Sequence, residues 1–129
     1  MRSTVVKCLV QNVWNEWLMG RRLEDDTFGD LWEFPGGGVE TSETSVEAAG
    51  REVCEELGVD FQTLSVLPSI QIPKSTGPLA VSCVVGCLRD RHQLIKHSEL
   101  RFVPLRDAGG LELAPVDAHL VRLMSRHLL

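Results

Sequence analysis

The sequence predicts an α/β fold, a mixed β-sheet covered by helices on both faces. Three observations carry this expectation. Short runs rich in apolar and β-branched residues recur along the chain and read as strands. Two longer stretches stand out as helices, the first with clear start and stop signals. Strands and helices alternate, which suits helices packed on a sheet.

The elements follow in order. "STVVKCLVQN" is apolar on both alternating faces, so a buried strand is expected near 3–11. "EWLMGRR" is read as its neighbour, ending in two arginines. "DLWEFPGGG" is a short strand broken by Pro35 and three glycines, which propensity assigns to a loop. A helix near 44–57 starts at a capping box, Thr44 with Glu47, and stops at Gly58. "SIQIP", "LAVSCVVGCLR" and "LRFVPL" are further strands, with bulges or early ends expected at Gly86 and Pro104. A second helix is expected near 116–128.

Length and composition bound the function. The 129 residues are read as one domain, 1–129, able to bury roughly two-thirds of its unfolded surface. Apolar content of 43% and charged content of 24% are ordinary for a globular protein. A net charge of −5 argues against binding a nucleic-acid polymer or an anionic membrane, and polyphosphates would need metal cations as mediators. No run is long enough to span a membrane and "MRSTVVKCLVQN" lacks a signal-peptide pattern, so a cytoplasmic location is expected. Cys8, Cys54, Cys83 and Cys87 form no C-x-x-C pair and read as buried free thiols. His92, His97, His119 and His127 show no ligand spacing.

The first helix is unusual in its charge. Six carboxylates between Glu40 and Glu56 face a single basic residue, Arg51. At roughly 100° per residue, Glu52, Glu55 and Glu56 share an arc of about 100°. Val46, Val53 and Leu57 fall opposite, with Ala49 and Gly50 close by, so an apolar face is free to dock on the sheet. Arg51, four residues before Glu55, can pair with it or orient another glutamate. Charge content alone allows a solvated acidic helix. Convergent carboxylates equally suit a hard divalent cation, because Mg²⁺ takes one or two carboxylates together with water and phosphates.

The pattern around the helix decides between these readings. Gly37, five residues, Glu43, seven residues, Arg51-Glu52-Val53, one residue, Glu55-Glu56, one residue, Gly58-Val59: this resembles the Nudix hydrolase signature at all nine specified positions over 23 residues. The resemblance implies an α/β/α sandwich with a mixed sheet between helices, in which this loop–helix–loop carries the metals. It implies hydrolysis of a phosphoanhydride bond in a nucleotide substrate, with Mg²⁺ as cofactor and Mn²⁺ as a stand-in. By the same resemblance Glu52, Glu55 and Glu56 are metal ligands, Glu52 also being the candidate base. Glu43 is a supporting carboxylate, Arg51 an orienting partner, and a carbonyl near Gly36 or Gly37 completes the metal shell. Ser42-Glu43 stands where many relatives have Gly-Glu, which implies only a local change of turn.

The rest of the chain is similar to MutT-like triphosphate pyrophosphohydrolases, through "LWEFPGG", "MGRR", "HSELRFVPL" and "LAPVDAHLV". This favours a (deoxy)nucleoside triphosphate, cut to monophosphate and pyrophosphate, with nucleotide-pool sanitising as the implied role. Arg21 or Arg22 would grip phosphates, although strand alternation lets only one point into the site. Glu99 would add a loop carboxylate to a metal. Trp32 and Phe34 either flank a base or belong to the core. Asp117 is either a helix N-cap after Pro115 or a base reader, and an ionised Asp only accepts hydrogen bonds. Cytosine and 8-oxoguanine both meet that condition. A dinucleoside polyphosphate hydrolase and a non-catalytic nucleotide-sensing module are the alternatives, and a monomer or a homodimer suits each.

Overall fold

The computed structural model describes residues 4–127. In chain order the elements are β1 (Thr4–Val10), β2 (Glu16–Arg21), β3 (Trp32–Glu33), β4 (Gly36–Gly38), α1 (Ser45–Leu57), β5 (Phe61–Val66), β6 (Ile70–Ile72), β7 (Leu79–Leu88), β8 (Glu99–Pro104), α2 (Leu105–Ala108) and α3 (Pro115–His127). They form two sheets. One is mixed, in the order β4-β1-β7-β5 with β6 also on β7, and β1 runs parallel to β7. The other is antiparallel, in the order β3-β2-β8.

β2 is therefore not β1's sheet neighbour, as the sequence suggested. It leaves the mixed sheet after a turn at Asn12–Asn15 and pairs with β3 and β8, Met19 facing Arg101 and Gly20 facing Glu33. Only an isolated bridge, Gln11 to Trp17, links the two strands of that hairpin. The separation buries both faces: Leu9, Met19, Phe34 and Val81 share one core with α3, while Val6, Leu18, Val84 and Val53 share another with α1. Helices thus cover the mixed sheet on two sides, as expected.

Three other departures have physical causes. Gly36–Gly38 form β4 rather than a loop, because β1 offers them an edge to pair with. Gly36 has φ +155°, and a side chain there would run into the Val6 carbonyl. Strand β5 and the single turn of α2 were not foreseen. β5 lies at a sheet edge with Leu64 and Val66 exposed, so its sequence lacks a clean apolar alternation. β7 runs through Gly86 without ending, and the irregularity sits on its partner at Thr63–Ser65, whereas β8 does end at Pro104.

α1 begins and ends as predicted. Thr44 accepts from the Glu47 N–H at 3.1 Å while Glu47 accepts from the Thr44 N–H at 2.9 Å. Gly58 (φ 68°) closes the helix with its N–H on Cys54 O. Its apolar face buries Ala48, Ala49, Val53 and Leu57, but Val46 is exposed and so is Cys54.

Candidate active site

The six carboxylates do not face one another unscreened. Arg51 projects from α1 back over the loop that precedes it and engages three carboxylates and a main-chain carbonyl at once. Its Nε and Nη2 donate to the two oxygens of Glu43 at 2.6 and 2.8 Å, a forked pair. Nη1 donates to Glu52 at 2.9 Å and approaches Glu55 at 3.3 Å, and Nη2 also reaches the Gly38 carbonyl at 2.9 Å. The Arg51 hydrogen bonds, with that of the Glu40 N–H, hold the Glu43 carboxyl at about 2. Arg51 thus both pairs with Glu55 and orients its neighbours, and Glu43 serves as its anchor.

β4 and α1 meet at Gly37. A Cβ on Gly37 would lie 2.5 Å from Glu52 Oε1, so a side chain there would push this carboxylate from the strand it lies against. Glu52 and Glu56 are buried, and only Glu55 of the three is largely exposed. Glu56 Oε1 is buried without any hydrogen-bond partner. Leaving a carboxylate oxygen so costs about 1–3 kcal/mol or more. Buried carboxylate oxygens beside bare main chain, one oxygen unfilled, are a donor set that fits a hard divalent cation.

Glu56 also belongs to a second cluster, one that the sequence did not reveal. Glu33, Glu56 and His97 bring ligand-capable atoms within 4.8 Å of one another. His97 Nε2 lies 2.9 Å from Glu33 and 3.9 Å from Glu56. An ionised Glu33 only accepts, so Nε2 carries the proton, and buried Nδ1 has no partner. Glu33 further accepts from Arg22 at 2.7 Å and lies 3.6 Å from Lys7. Burial opposes its ionisation, but His97, Lys7 and Arg22 together hold it down at about 2. Lys7 in turn lies 3.1 Å from Asp117 and donates to the Phe34 carbonyl. Burial disfavours its charge, yet Asp117 and Glu33 more than compensate and keep it protonated.

The residues expected to bind substrate separate. Arg22 turns inward to Glu33, while Arg21 is exposed and lies beside Asp30 at 3.8 Å. Glu99, facing Arg21 across the strands, is paired with Arg101 at 2.6 Å and contacts none of the α1 carboxylates. Phe34 has no exposed surface and sits in the core, as does Trp32, over which Arg101 stacks at 5.0 Å. Asp117 is 1% exposed. It is not the α3 N-cap, which falls before Pro115; its carboxylate instead accepts from the Phe34 N–H at 2.9 Å and holds Lys7. Burial of Phe34 and Asp117 thus corrects the expectation that they face a base. The loop residues that reach Glu56 are Lys96, at 3.5 Å, and His97, rather than Glu99.

Glu33 was legible in "LWEFPGG", where strand alternation sets it opposite Trp32 and Phe34. His97 and Lys96 had no such signal. They stand about forty residues from Glu56, and only the fold brings them together.

Glu56 makes the site sensitive to pH. Burial and the adjacent Glu52 push its carboxyl from an ordinary 4.5 up to about 8, against the pull of Lys96. Below pH 8 a cation entering at Glu56 would have to displace a proton, so its affinity should rise with pH and level off above 8, by up to about tenfold per unit. Linkage runs the opposite way for stability. The unfolded carboxyl ionises near 4.5 while the folded one stays protonated, so the metal-free protein loses stability as pH rises from about 4.5 to 8. Calorimetric Mn²⁺ titrations at pH 6.5 and 9 test the affinity change; equal affinities at the two would refute it.

Comparison with known proteins agrees with this geometry. Residues 1–124 match the NUDIX domain family. A 56-residue segment is 36% identical to the 8-oxo-dGTP diphosphatase of Proteus vulgaris, covering 43% of this chain and 50% of that protein. A 63-residue segment is 35% identical to the 8-oxo-dGTP diphosphatase of Escherichia coli, covering 49% of each. The matched segments thus span about half the length of these relatives. Over 62 residues the chain is also 32% identical to the RNA pyrophosphohydrolase of Ruthia magnifica, covering 48% of this chain and 32% of that protein. Among solved structures, the E. coli ORF135 protein superposes with a TM-score of 0.84 at 26% identity, over 99% of this chain and 94% of that one. The MutT protein of Methanosarcina mazei does so with a TM-score of 0.83 at 24% identity, over 98% and 95% of the two chains, a likeness of fold. With its domain matched nearly end to end and its glutamate helix held by Arg51 against Gly37, the chain belongs to the Nudix family.

Proposed function

We propose that the protein is a Mg²⁺-dependent pyrophosphohydrolase that cleaves a (deoxy)nucleoside triphosphate to the monophosphate and pyrophosphate. The observation that carries this reading is the unfilled Glu56 oxygen among carboxylates that Arg51 fixes in place. Mg²⁺ would be held by Glu52, Glu55 and Glu56 with the main chain near Gly37, and when bound it supplies phosphate charge neutralisation and an acidified water. Glu52, oriented by Arg51 and crowded by Gly37, accepts the proton of the attacking water at its carboxylate. Arg21, exposed at the end of β2, is the arginine available to phosphates; Arg22 already serves Glu33. The named activities of the matched relatives support a role in clearing oxidised or unwanted nucleotides.

Pyrophosphate release from a panel of nucleoside triphosphates, 8-oxo-dGTP, dinucleoside polyphosphates and a 5′-triphosphorylated RNA tests the reading. Release that requires Mg²⁺ or Mn²⁺ from at least one mononucleotide supports it. Binding without turnover across the panel would instead indicate a nucleotide-sensing module.

A further inference from the structure

We propose that Lys96 is a phosphate-gripping residue that waits on Glu56 while the site is empty and passes to the substrate polyphosphate when a cation takes that carboxylate. The inference rests on the hydrolase reading above and adds a residue to it.

Three observations carry it. First, Lys96 Nζ is the hydrogen-bond partner of Glu56 Oε2, at 3.5 Å, the outer limit of such a contact. Arg51, by contrast, is committed through several contacts of 2.6–2.9 Å. Of the two cations on the α1 carboxylates, Lys96 is the one loosely held.

Second, its backbone is fixed while its side chain is held only by that long contact. Residues 89–98 contain no helix or strand, yet the segment is pinned on both sides of Lys96. The Gln93 N–H donates to Leu57 O at the end of α1, and the Ser98 N–H donates to Arg21 O. His97 is buried on Gly20, where a Cβ would come within 2.6 Å of its ring, and it binds Glu33. Between these anchors the Lys96 side chain remains 41% exposed beside buried Glu56.

Third, the two states cannot share Glu56 equally. A cation entering at Glu56 brings like charge against the ammonium, which must then leave its carboxylate. A phosphate that shares that cation lies one coordination shell away. The flexible four-carbon stem would carry the ammonium to that phosphate, and a lysine grips phosphate as a point charge.

The chain has three lysines, Lys7, Lys74 and Lys96, so reductive ¹³C-methylation gives a simple NMR probe, assigned by the signal lost in K96R. Mg²⁺ alone should shift the Lys96 resonance, and Mg²⁺ with inorganic pyrophosphate or an α,β-imido nucleotide should shift it again. In kinetics, K96M should raise KM about 10-fold with kcat changed less than about 3-fold, as for a lost binding contact, and K96R should recover most of it. A Lys96 signal indifferent to pyrophosphate with Mg²⁺, or an unchanged KM in K96M, overturns the proposal. A lysine serving only the loop would lower Tm without the KM split. The NMR arm needs no turnover, so a failed hydrolase reading and a failed Lys96 reading are told apart.

Discussion

Replacing Glu52 by Gln should lower hydrolysis by at least ~100-fold at saturating Mg²⁺, the lower scale of a lost general base. The substitution suits the local geometry. Gln has the shape of Glu, so it fits under Gly37, and its oxygen can still accept from Arg51 Nη1. What it loses is the negative charge and the capacity to take a proton. The folded state should therefore survive, with Tm within a few degrees of the parent, while turnover disappears. Burst and steady-state measurements of pyrophosphate release would read this directly. Turnover within tenfold of the parent would move the base to another group, with Glu56, whose carboxyl sits near 8, next to be replaced.

Lys7→Met should destabilise the protein by about 3 kcal/mol, the low end for breaking a buried pair by removing one partner. For a domain of this size that is roughly 10 °C in Tm. Lys7 is 9% exposed and ties Asp117 of α3 to Glu33 of β3 and to the Phe34 carbonyl. Without it Asp117 retains only the Phe34 N–H. Glu33 keeps Arg22 and His97, which limits the loss. Adding Asp117→Asn should recover most of the deficit, because Asn still accepts from Phe34 N and leaves no unpaired charge. Thermal melts of the two single variants and the double variant form a cycle. Additive losses would show that Lys7 and Asp117 do not act as a pair.

Where the sequence was legible, the signals were local. Thr44, Glu47 and Gly58 mark α1 within a residue because capping is a short-range hydrogen-bond pattern. The four-residue spacing of Arg51 and Glu55 foretold their contact because one helical turn brings them together, whereas the tighter fork of Arg51 on Glu43 had no such signal. Legibility failed where a partner lay far along the chain. Gly36–Gly38 read as loop by propensity and became β4 because β1 supplied an edge. β2 read as β1's neighbour and crossed to β8, because each had an apolar face to bury in its own layer. Phe34 and Asp117 were fair candidates for a base until packing closed over them.

The sequence by itself determined the glutamate helix, its caps, the glycine beside it and the family to which the chain belongs, since each depends on residues within a few turns of one another. Tertiary structure alone decided which carboxylates are buried, that Glu56 shares His97 with Glu33, and that Lys7 and Lys96 are the cations set among them. The reason is physical: burial and charge pairing act through space, and the chain brings those groups together from separate strands and loops only when it folds.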